Sequence, residues 1–467
     1  MLSSLRHALM MGLIFAMGPS FADLSSQLNT VVNQQSDHFD IGVYITNATT
    51  GKVLYNSDGN HPMTPASNTK VMTAAAAYLY LGSQDSFVTS ISSNAPLSKT
   101  INGNVYVKFS GDPTLSTKDV YALAQSLRQQ GVTTINGNVV VDQTIFSGPY
   151  YGLGWPQDDL AYCYAAPVAG AIINQNCMAL QITKKKNSKS PMVHQFTTHF
   201  PVLNNVQFVG RRELRTCVFQ PTITSNNAIL LQGCLPTRAN WSMAFAIRNP
   251  VTYAQQVVQT ALSKAGIHVT GKYVDGKTPG SATILARHNS NSLQQIMSYM
   301  LKHSDNVYAG AITKALGASY YGVGSYKGGA NAIDAILQAR VGPQFKPPYL
   351  EDGSGMSTYN LISPQQLVQV LNYMIRQPVL GPIFMQSLAI SGQRGTLVYR
   401  MTQHGLAGHV FGKTGTINGV STLSGYLALP GQPIITFAIM MNGIEGGAAH
   451  ARYVQDQIVQ LIANNLS

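Results

Sequence analysis

Apolar positions along the chain recur with two different periods, and each period predicts its own kind of element. Val71, Ala74, Ala75, Tyr78 and Leu79 return at helical spacing, so a helix is predicted over 71–82 with Gly82 as its stop. The same reasoning predicts helices over 24–35, 117–130 and 252–266, and one that carries Leu293, Ile296 and Leu301 on its apolar face. Pro364 to Arg376 is a further helix, with Ser363 as its cap and Pro364 in the first position. At the end, Ala451 to Leu466 puts Val454, Ile458, Leu461 and Ile462 on one face. Its other face is not basic, so this helix is expected to dock on a sheet rather than lie on a membrane.

Period-two runs predict the strands. Ile41–Thr46 and Lys52–Tyr55 flank Asn47–Gly51 as a β-hairpin. Val105–Phe109 and Val139–Val141 are short strands bounded by Asn102-Gly103 and Asn136-Gly137, dipeptides that favour hairpin turns. Polar loops and β-like runs fill the stretch from Cys163 to Trp241. Val410–Ile417, Thr422–Leu429 and Ile434–Met441 read as antiparallel strands, with Leu429–Pro433 turning between the last two. The change of character implies a main part, 23–86 with 281–467, split by an inserted region over 87–280 that holds two nested modules, the inner at about 168–245.

Composition narrows the class. With 467 residues, 45% hydrophobic and 10% charged, the chain is globular and long enough for two or three domains. Arg6 and His7 precede the apolar run Ala8–Gly18, and Ser20-Phe21-Ala22 resembles a cleavage site, so residues 1–22 are expected to be a signal peptide. No run approaches the roughly 20 apolar residues of a membrane span, and the mature chain is expected to be exported without a transmembrane segment. The formal charge of +12, which becomes +11 once Arg6 is removed, suits residence near anionic polymers such as a cell envelope supplies. Nucleic acid is not expected as a partner, because the basic residues are scattered. The one cluster, Lys184-Lys185-Lys186 with Lys189, reads as a solvated loop. Cys163, Cys177, Cys217 and Cys234 include no C-x-x-C, and an exported chain would oxidise them; of the three connectivities, sequential pairing is favoured.

Three short motifs carry candidate chemistry. Ser67 and Lys70 would share one helix face, where a deprotonated lysine is able to take the serine proton. Free N–H groups at the helix start suit a developing oxyanion. Ser304-Asp305-Asn306 offers a hydroxyl to relay a proton and an amide to hold both Lys70 and a substrate carbonyl. Lys413-Thr414-Gly415-Thr416 offers a fixed charge, a glycine that lets a ligand approach the backbone, and a threonine N–H and hydroxyl. In this order the motifs are the signature of serine β-lactamases and penicillin-binding proteins. Other signals fall away. Gly271–Thr278 fits a phosphate-loop pattern, but Pro279-Gly280 prevents the helix that would receive phosphates. His303 and Ser304 are neighbours whose side chains diverge, and neither a Gly-x-Ser-x-Gly elbow nor a His-Glu-x-x-His metal motif occurs. No metal and no cofactor is expected.

The chain resembles the low-molecular-mass class C penicillin-binding proteins, the D-alanyl-D-alanine carboxypeptidase/endopeptidase family. The likeness also runs through Phe109–Leu115, Gly154–Leu160, Ala165–Pro167, Gly233–Pro236 and Asp352–Gly355, and it supports the pairs Cys163–Cys177 and Cys217–Cys234. It implies an α+β fold of the serine transpeptidase/β-lactamase type, an antiparallel sheet flanked by helices and interrupted by mainly-β modules. It implies peptidoglycan stem peptides as substrates, β-lactams as acylating inhibitors, and residence in the periplasm, free or loosely held at the membrane. Ser67 would be the nucleophile and Lys70 its base, with Ser304 and Asn306 assisting. Lys413 and Thr416 would hold the terminal carboxylate, with Thr414 and Gly415 beside them, and Ser67 and Thr416 N–H would form the oxyanion hole. Asp159 would bind the free amine of the stem side chain. Thr358 stands where relatives often carry Arg, which removes a contact to the side-chain carboxylate, and Asn418 would line the same pocket. Lys70 has to be neutral near pH 7, a shift of about three units or roughly 4 kcal/mol, with burial and the Lys413 charge both pushing it there. A serine β-lactamase or esterase of the same fold, and an inactive wall-binding scaffold, are the alternatives. Oligomeric state is open.

Overall fold

The structure, a computed structural model, describes residues 21–35, 38–184, 191–195, 200–237 and 240–466. The expected export segment up to residue 20, and the lysine cluster beyond Lys184, lie outside the described residues.

The chain opens with α1 (Phe21–Asn33), the hairpin β1 (Asp40–Asn47) and β2 (Val53–Ser57), and α2 (Thr69–Tyr80). The inserted region follows: β3 (Val88–Ser93), β4 (Thr100–Ile101), β5 (Val105–Lys108), α3 (Thr117–Gln129), β6 (Thr134–Ile135) and β7 (Val139–Asp142). Ser116 and Asp119 close a capping box on α3, each satisfying the other's backbone N–H. Next come β8 (Cys177–Lys184), β9 (Pro191–Gln195), β10 (Val202–Val209), β11 (Gln220–Ile223), β12 (Ile229–Pro236) and β13 (Asn240–Ala246). They build two small sheets, β13-β8-β9 and β10-β12-β11. α4 (Pro250–Lys264), β14 (His268–Val269), β15 (Tyr273–Asp275) and β16 (Thr283–Asn289) bring the chain back. The region is mainly β, as expected, with α3 of 13 residues and α4 of 15 residues packed among its strands.

The Asn-Gly dipeptides do not close hairpins. β4 pairs with β6, and β5 with β7, in parallel, so each dipeptide steps its strand from the sheet β14-β6-β4 into the sheet β15-β7-β5-β3-β16. The two steps stack: Asn136 Nδ2 donates to Asn102 Oδ1 at 3.2 Å, and Asn104 Oδ1 accepts from Asn138 N at 2.9 Å. Parallel strands need a crossover, and α3 supplies it. β16 pairs antiparallel with β3, so residues 283–289 lie on the sheet of the inserted region although the sequence grouped them with the main part.

Helices then dominate: α5 (Leu293–His303), α6 (Asn306–Tyr321), α7 (Tyr326–Val341), α8 (Pro364–Ile375) and α9 (Leu380–Ser387). Ser363 caps α8 with Pro364 in the first position, as expected. β17 (Ala389–Ile390), β18 (Val410–Ile417), β19 (Val420–Leu427), β20 (Ile435–Asn442) and α10 (Ala449–Asn464) finish the chain. The main sheet is antiparallel in the order β17-β18-β19-β20-β1-β2, with helices on both faces. Alternation along β20 decides the faces. Ala438 and Met440 pack with α2, α5 and α8, whereas Phe437, Ile439 and Met441 pack with α1 and α10. β17 covers only Phe411 and Gly412 of β18, so among the described residues the backbone edge from Lys413 onward has no strand beside it.

Candidate active site

Ser67 sits in a 3-10 turn, Ala66–Asn68, immediately before α2. Ala66 has φ +45°, a strained value for a residue with a side chain. Three contacts hold this turn. Asn68 Nδ2 donates to Thr422 Oγ1 at 2.5 Å and its Oδ1 accepts from Ser424, both on β19. Thr422 Oγ1 in turn donates to Pro65 O at 2.8 Å. Gly355 lies against the other side, where a Cβ would fall 1.8 Å from Ala66 O. Gly415 has the same reason to be glycine: its Cβ would lie 2.2 Å from Thr422 Oγ1 and 2.8 Å from Pro65 O. That glycine therefore admits the serine turn to the sheet.

Lys70, in the first turn of α2, is fully buried. Its Nζ donates to Ser67 Oγ at 2.9 Å, Asn306 Oδ1 at 2.6 Å and Ser354 O at 2.6 Å. Burial pushes the amine from its ordinary 10.5 down to about 7, against the pull of Asp352 and Asp305, whose negative charges favour the ammonium. A lysine poised there supplies the lone pair a serine hydroxyl needs. Lys413, also fully buried, donates to Ser304 Oγ at 2.9 Å and Thr414 O at 2.6 Å. Burial first, and Lys70 second, push its amine well below the ordinary range. Burial is the largest cause at both lysines, and the Lys70 charge adds to it at Lys413.

Ser304 and Asn306 occupy the break between α5 and α6: Ser304 ends α5 at φ +59°, and Asp305 caps α6 by accepting from Tyr308 N at 3.0 Å. Asn306 Nδ2 is engaged by Tyr164 O at 2.8 Å, which leaves its second hydrogen for a substrate carbonyl. Tyr164 belongs to a short turn beside Cys163, and the disulfide Cys163–Cys177 fastens that turn to the start of β8. Cys217–Cys234 is the second disulfide. Both pairs are the sequential ones. Asp159 is half-buried and accepts from Tyr164 OH at 2.7 Å. Thr358 is exposed and reaches Gly154 O at 3.4 Å. Asn418 is exposed at the tip of the β18–β19 turn, two residues beyond Thr416.

Sequence reasoning missed several members. Asp352 accepts from Trp155 Nε1 at 2.7 Å, Ser354 Oγ at 2.7 Å, Gly355 N at 2.9 Å and Asn360 Nδ2 at 2.8 Å, which shapes the loop whose Ser354 carbonyl meets Lys70. Thr396 Oγ1 accepts from Thr414 Oγ1 at 2.8 Å. The Asp352–Gly355 motif was visible as a likeness, but its function as a cradle was not; nothing local marks Thr396 or Tyr164. Among the described residues no group of three or more His, Cys, Asp or Glu is placed to hold a metal ion.

The sequence profile of the D-Ala-D-Ala carboxypeptidase 3 (S13) family matches residues 24–465. The chain is 30% identical to the D-alanyl-D-alanine carboxypeptidase DacB of Haemophilus influenzae over 453 residues, 96% of this chain and 94% of that one. It is also 30% identical to a D-alanyl-D-alanine carboxypeptidase of Actinomadura sp. over 439 residues, 90% of this chain and 81% of the relative. The crystal structure of penicillin binding protein 4 (dacB) from H. influenzae superposes with a TM-score of 0.87 at 30% identity, covering 95% of this chain and 99% of that one. A structure of the same relative complexed with a β-lactam gives 0.82 at 28% identity. A serine and a buried lysine on one turn, an Asn306 that bridges them to the insertion, and likeness along almost the whole length place this chain in the D-Ala-D-Ala carboxypeptidase 3 (S13) family.

Proposed function

We propose that this protein is a serine D,D-peptidase that hydrolyses D-alanyl peptide bonds of peptidoglycan, both terminal D-Ala-D-Ala and D-alanyl cross-links, through an acyl-enzyme at Ser67. The observation that carries the reading is the buried Lys70 amine, about 7, at 2.9 Å from Ser67 Oγ. Lys70 takes the hydroxyl proton as Ser67 Oγ attacks the scissile carbonyl. The oxygen then bears charge, met by the N–H groups of Ser67 and Thr416. The amide C–N bond breaks, the nitrogen leaves with the proton through Lys70 and Ser304, and water hydrolyses the ester to free Ser67. The substrate's terminal carboxylate docks at Lys413, Thr414 and Thr416 and supplies the counter-charge that Lys413 lacks, which keeps Lys70 the neutral one of the two. The stem peptide lies along the free edge of β18 as an added strand, with Gly415 at its floor. Asp159, held by Tyr164 OH, receives the side-chain amine; Asn418 borders the same end.

Main and inserted parts divide near residues 87 and 289, following the pairing of β16 with β3. Two disulfides fit an oxidising compartment, and among the described residues no helix is long and apolar enough to cross a membrane. Periplasmic residence is the reading that agrees with peptidoglycan as substrate. The test is intact-mass analysis after incubation with benzylpenicillin, beside Ser67→Ala. A lasting single adduct that the variant lacks is expected. An adduct that persists in Ser67→Ala refutes the nucleophile, and one that vanishes within seconds makes the protein a β-lactamase.

A further inference from the structure

The turn that bonds Thr414 and the end of α5 carry two cations that the reaction above does not use. Gly395, at φ +69°, presses against the end of α5 so closely that a Cβ there would lie 2.6 Å from Lys302 O. This brings Arg394 beside Lys302, two residues before Ser304, while Thr396 on the same turn bonds Thr414. Arg394 is exposed. Lys302 donates to Ser298 Oγ at 2.8 Å, and its amine is lowered by burial first and by the charge of Arg394 second. Neither cation is in an ion pair among the described residues. The nearest carboxylate in sequence, Asp305, is turned into the start of α6. Two like charges held together without an acid form a place where an anion is favoured.

Their position says which anion. With the scissile carbonyl at Ser67 and the terminal carboxylate at Lys413 and Thr414, the Thr396–Thr414 bond and the Ser304–Lys413 bond tie the turn of Arg394 and the end of α5 to the carboxylate end of the site. When D-Ala-D-Ala is hydrolysed, the leaving group is one alanine and ends at Lys413. When a cross-link is hydrolysed, the leaving amine belongs to a second stem, a peptide with further carboxylates that continues beyond it.

We propose that Arg394 and Lys302 form a leaving-side subsite for the carboxylates of the second stem peptide, so that cross-link hydrolysis draws on them and removal of terminal D-alanine does not. The inference rests on the function proposed above. Its test compares kcat/KM of the mature enzyme on a soluble pentapeptide ending in D-Ala-D-Ala and on a cross-linked muropeptide dimer. Arg394→Glu is expected to lower kcat/KM on the dimer by about tenfold, through KM, as two partly exposed charge pairs permit. The pentapeptide, which ends before Arg394, should stay within about twofold. Arg394→Lys should restore most of the dimer rate, and about 0.5 M salt should erase the difference between wild type and Arg394→Glu. Equal losses on both substrates, or no loss on the dimer, overturn the subsite. Benzylpenicillin acylation, which involves no leaving stem, reports whether a variant is folded, and Lys302→Gln gives the same comparison independently. Wild type that hydrolyses the pentapeptide and not the dimer refutes the subsite alone. Wild type inactive on both, and without a penicillin adduct, refutes the function as well.

Discussion

Replacing Lys70 with Met should destroy activity and at the same time make the protein more stable, by an amount that depends on pH in a defined way. The amine is held at about 7 where an unfolded chain would have 10.5. A group with a depressed folded value gives its full stability above the unfolded value and loses it as pH falls towards the folded one. For Lys70 that loss starts near pH 10.5 and is complete just below 7. At 1.36 kcal/mol per unit, the whole span of 3.5 units is about 5 kcal/mol, and the part between pH 9 and pH 6.5 is about 2.5 kcal/mol. Methionine fills similar volume and cannot be charged. Losing the bonds to Ser354 O and Asn306 Oδ1 opposes the gain, but that cost does not vary with pH. Lys314, another buried lysine at about 7, titrates in both proteins and drops out of the difference, whereas Lys413, whose amine Lys70 lowers, does not, so the same comparison is repeated in a Lys413→Met background. Urea unfolding of both proteins across pH 6.5–9 measures it directly; in a melting experiment the difference is about 3 °C for a chain this long. The rate of wild-type acylation by benzylpenicillin should fall about tenfold between pH 8 and pH 6, tracing the same proton in the free enzyme. A stability difference that stays flat over this range, or a flat acylation profile, means that Lys70 does not change charge there, and the base assignment fails.

Three further outcomes follow from individual contacts. Gly415→Ala should lower the benzylpenicillin acylation rate by at least about a hundredfold, since a Cβ 2.2 Å from Thr422 Oγ1 and 2.8 Å from Pro65 O displaces the serine turn, and misplacement of that size carries such a penalty; a rate within threefold, as an order of magnitude, would show that the turn has room. Asp334 is the converse of Lys70. Burial raises its carboxyl from 3.8 to about 7, so stability present below 3.8 is lost as pH rises through 7, and Asp334→Asn should stabilise the protein at pH 8 by at most about 4 kcal/mol, with no gain at pH 4, in urea unfolding. Replacing Cys163 and Cys177 together with serine opens a loop 14 residues long. It should cost about 3 kcal/mol of stability and slow acylation, because the Tyr164 carbonyl is what holds Asn306; unchanged acylation would separate the disulfide from the site.

The elements whose residues are neighbours in the chain were legible from the sequence. The Ser363 cap, the helical stripe from Val71 to Leu79 and the apolar run Ile434–Met441 are local, and each appears where the pattern puts it. The order Ser67–Lys70, Ser304–Asn306, Lys413–Thr416 was equally plain, because each triplet needs only a helix turn, a helix break or a strand to present its groups. What the triplets rest on was not. Lys70 meets Ser354 O across 284 positions and Asn68 meets Ser424 across 356. Gly415 is packed against Pro65 and Thr422, and the carboxylates that act on Lys70, Asp352 and Asp305, come from segments far along the chain. Asn102-Gly103 shows why. The dipeptide permits a tight hairpin, yet stacking of Asn102 on Asn136 and of Asn104 on Asn138 N satisfies the same groups within a parallel ladder. A local preference names the conformations a segment is able to take; packing and hydrogen bonds among segments far apart in the chain select one of them.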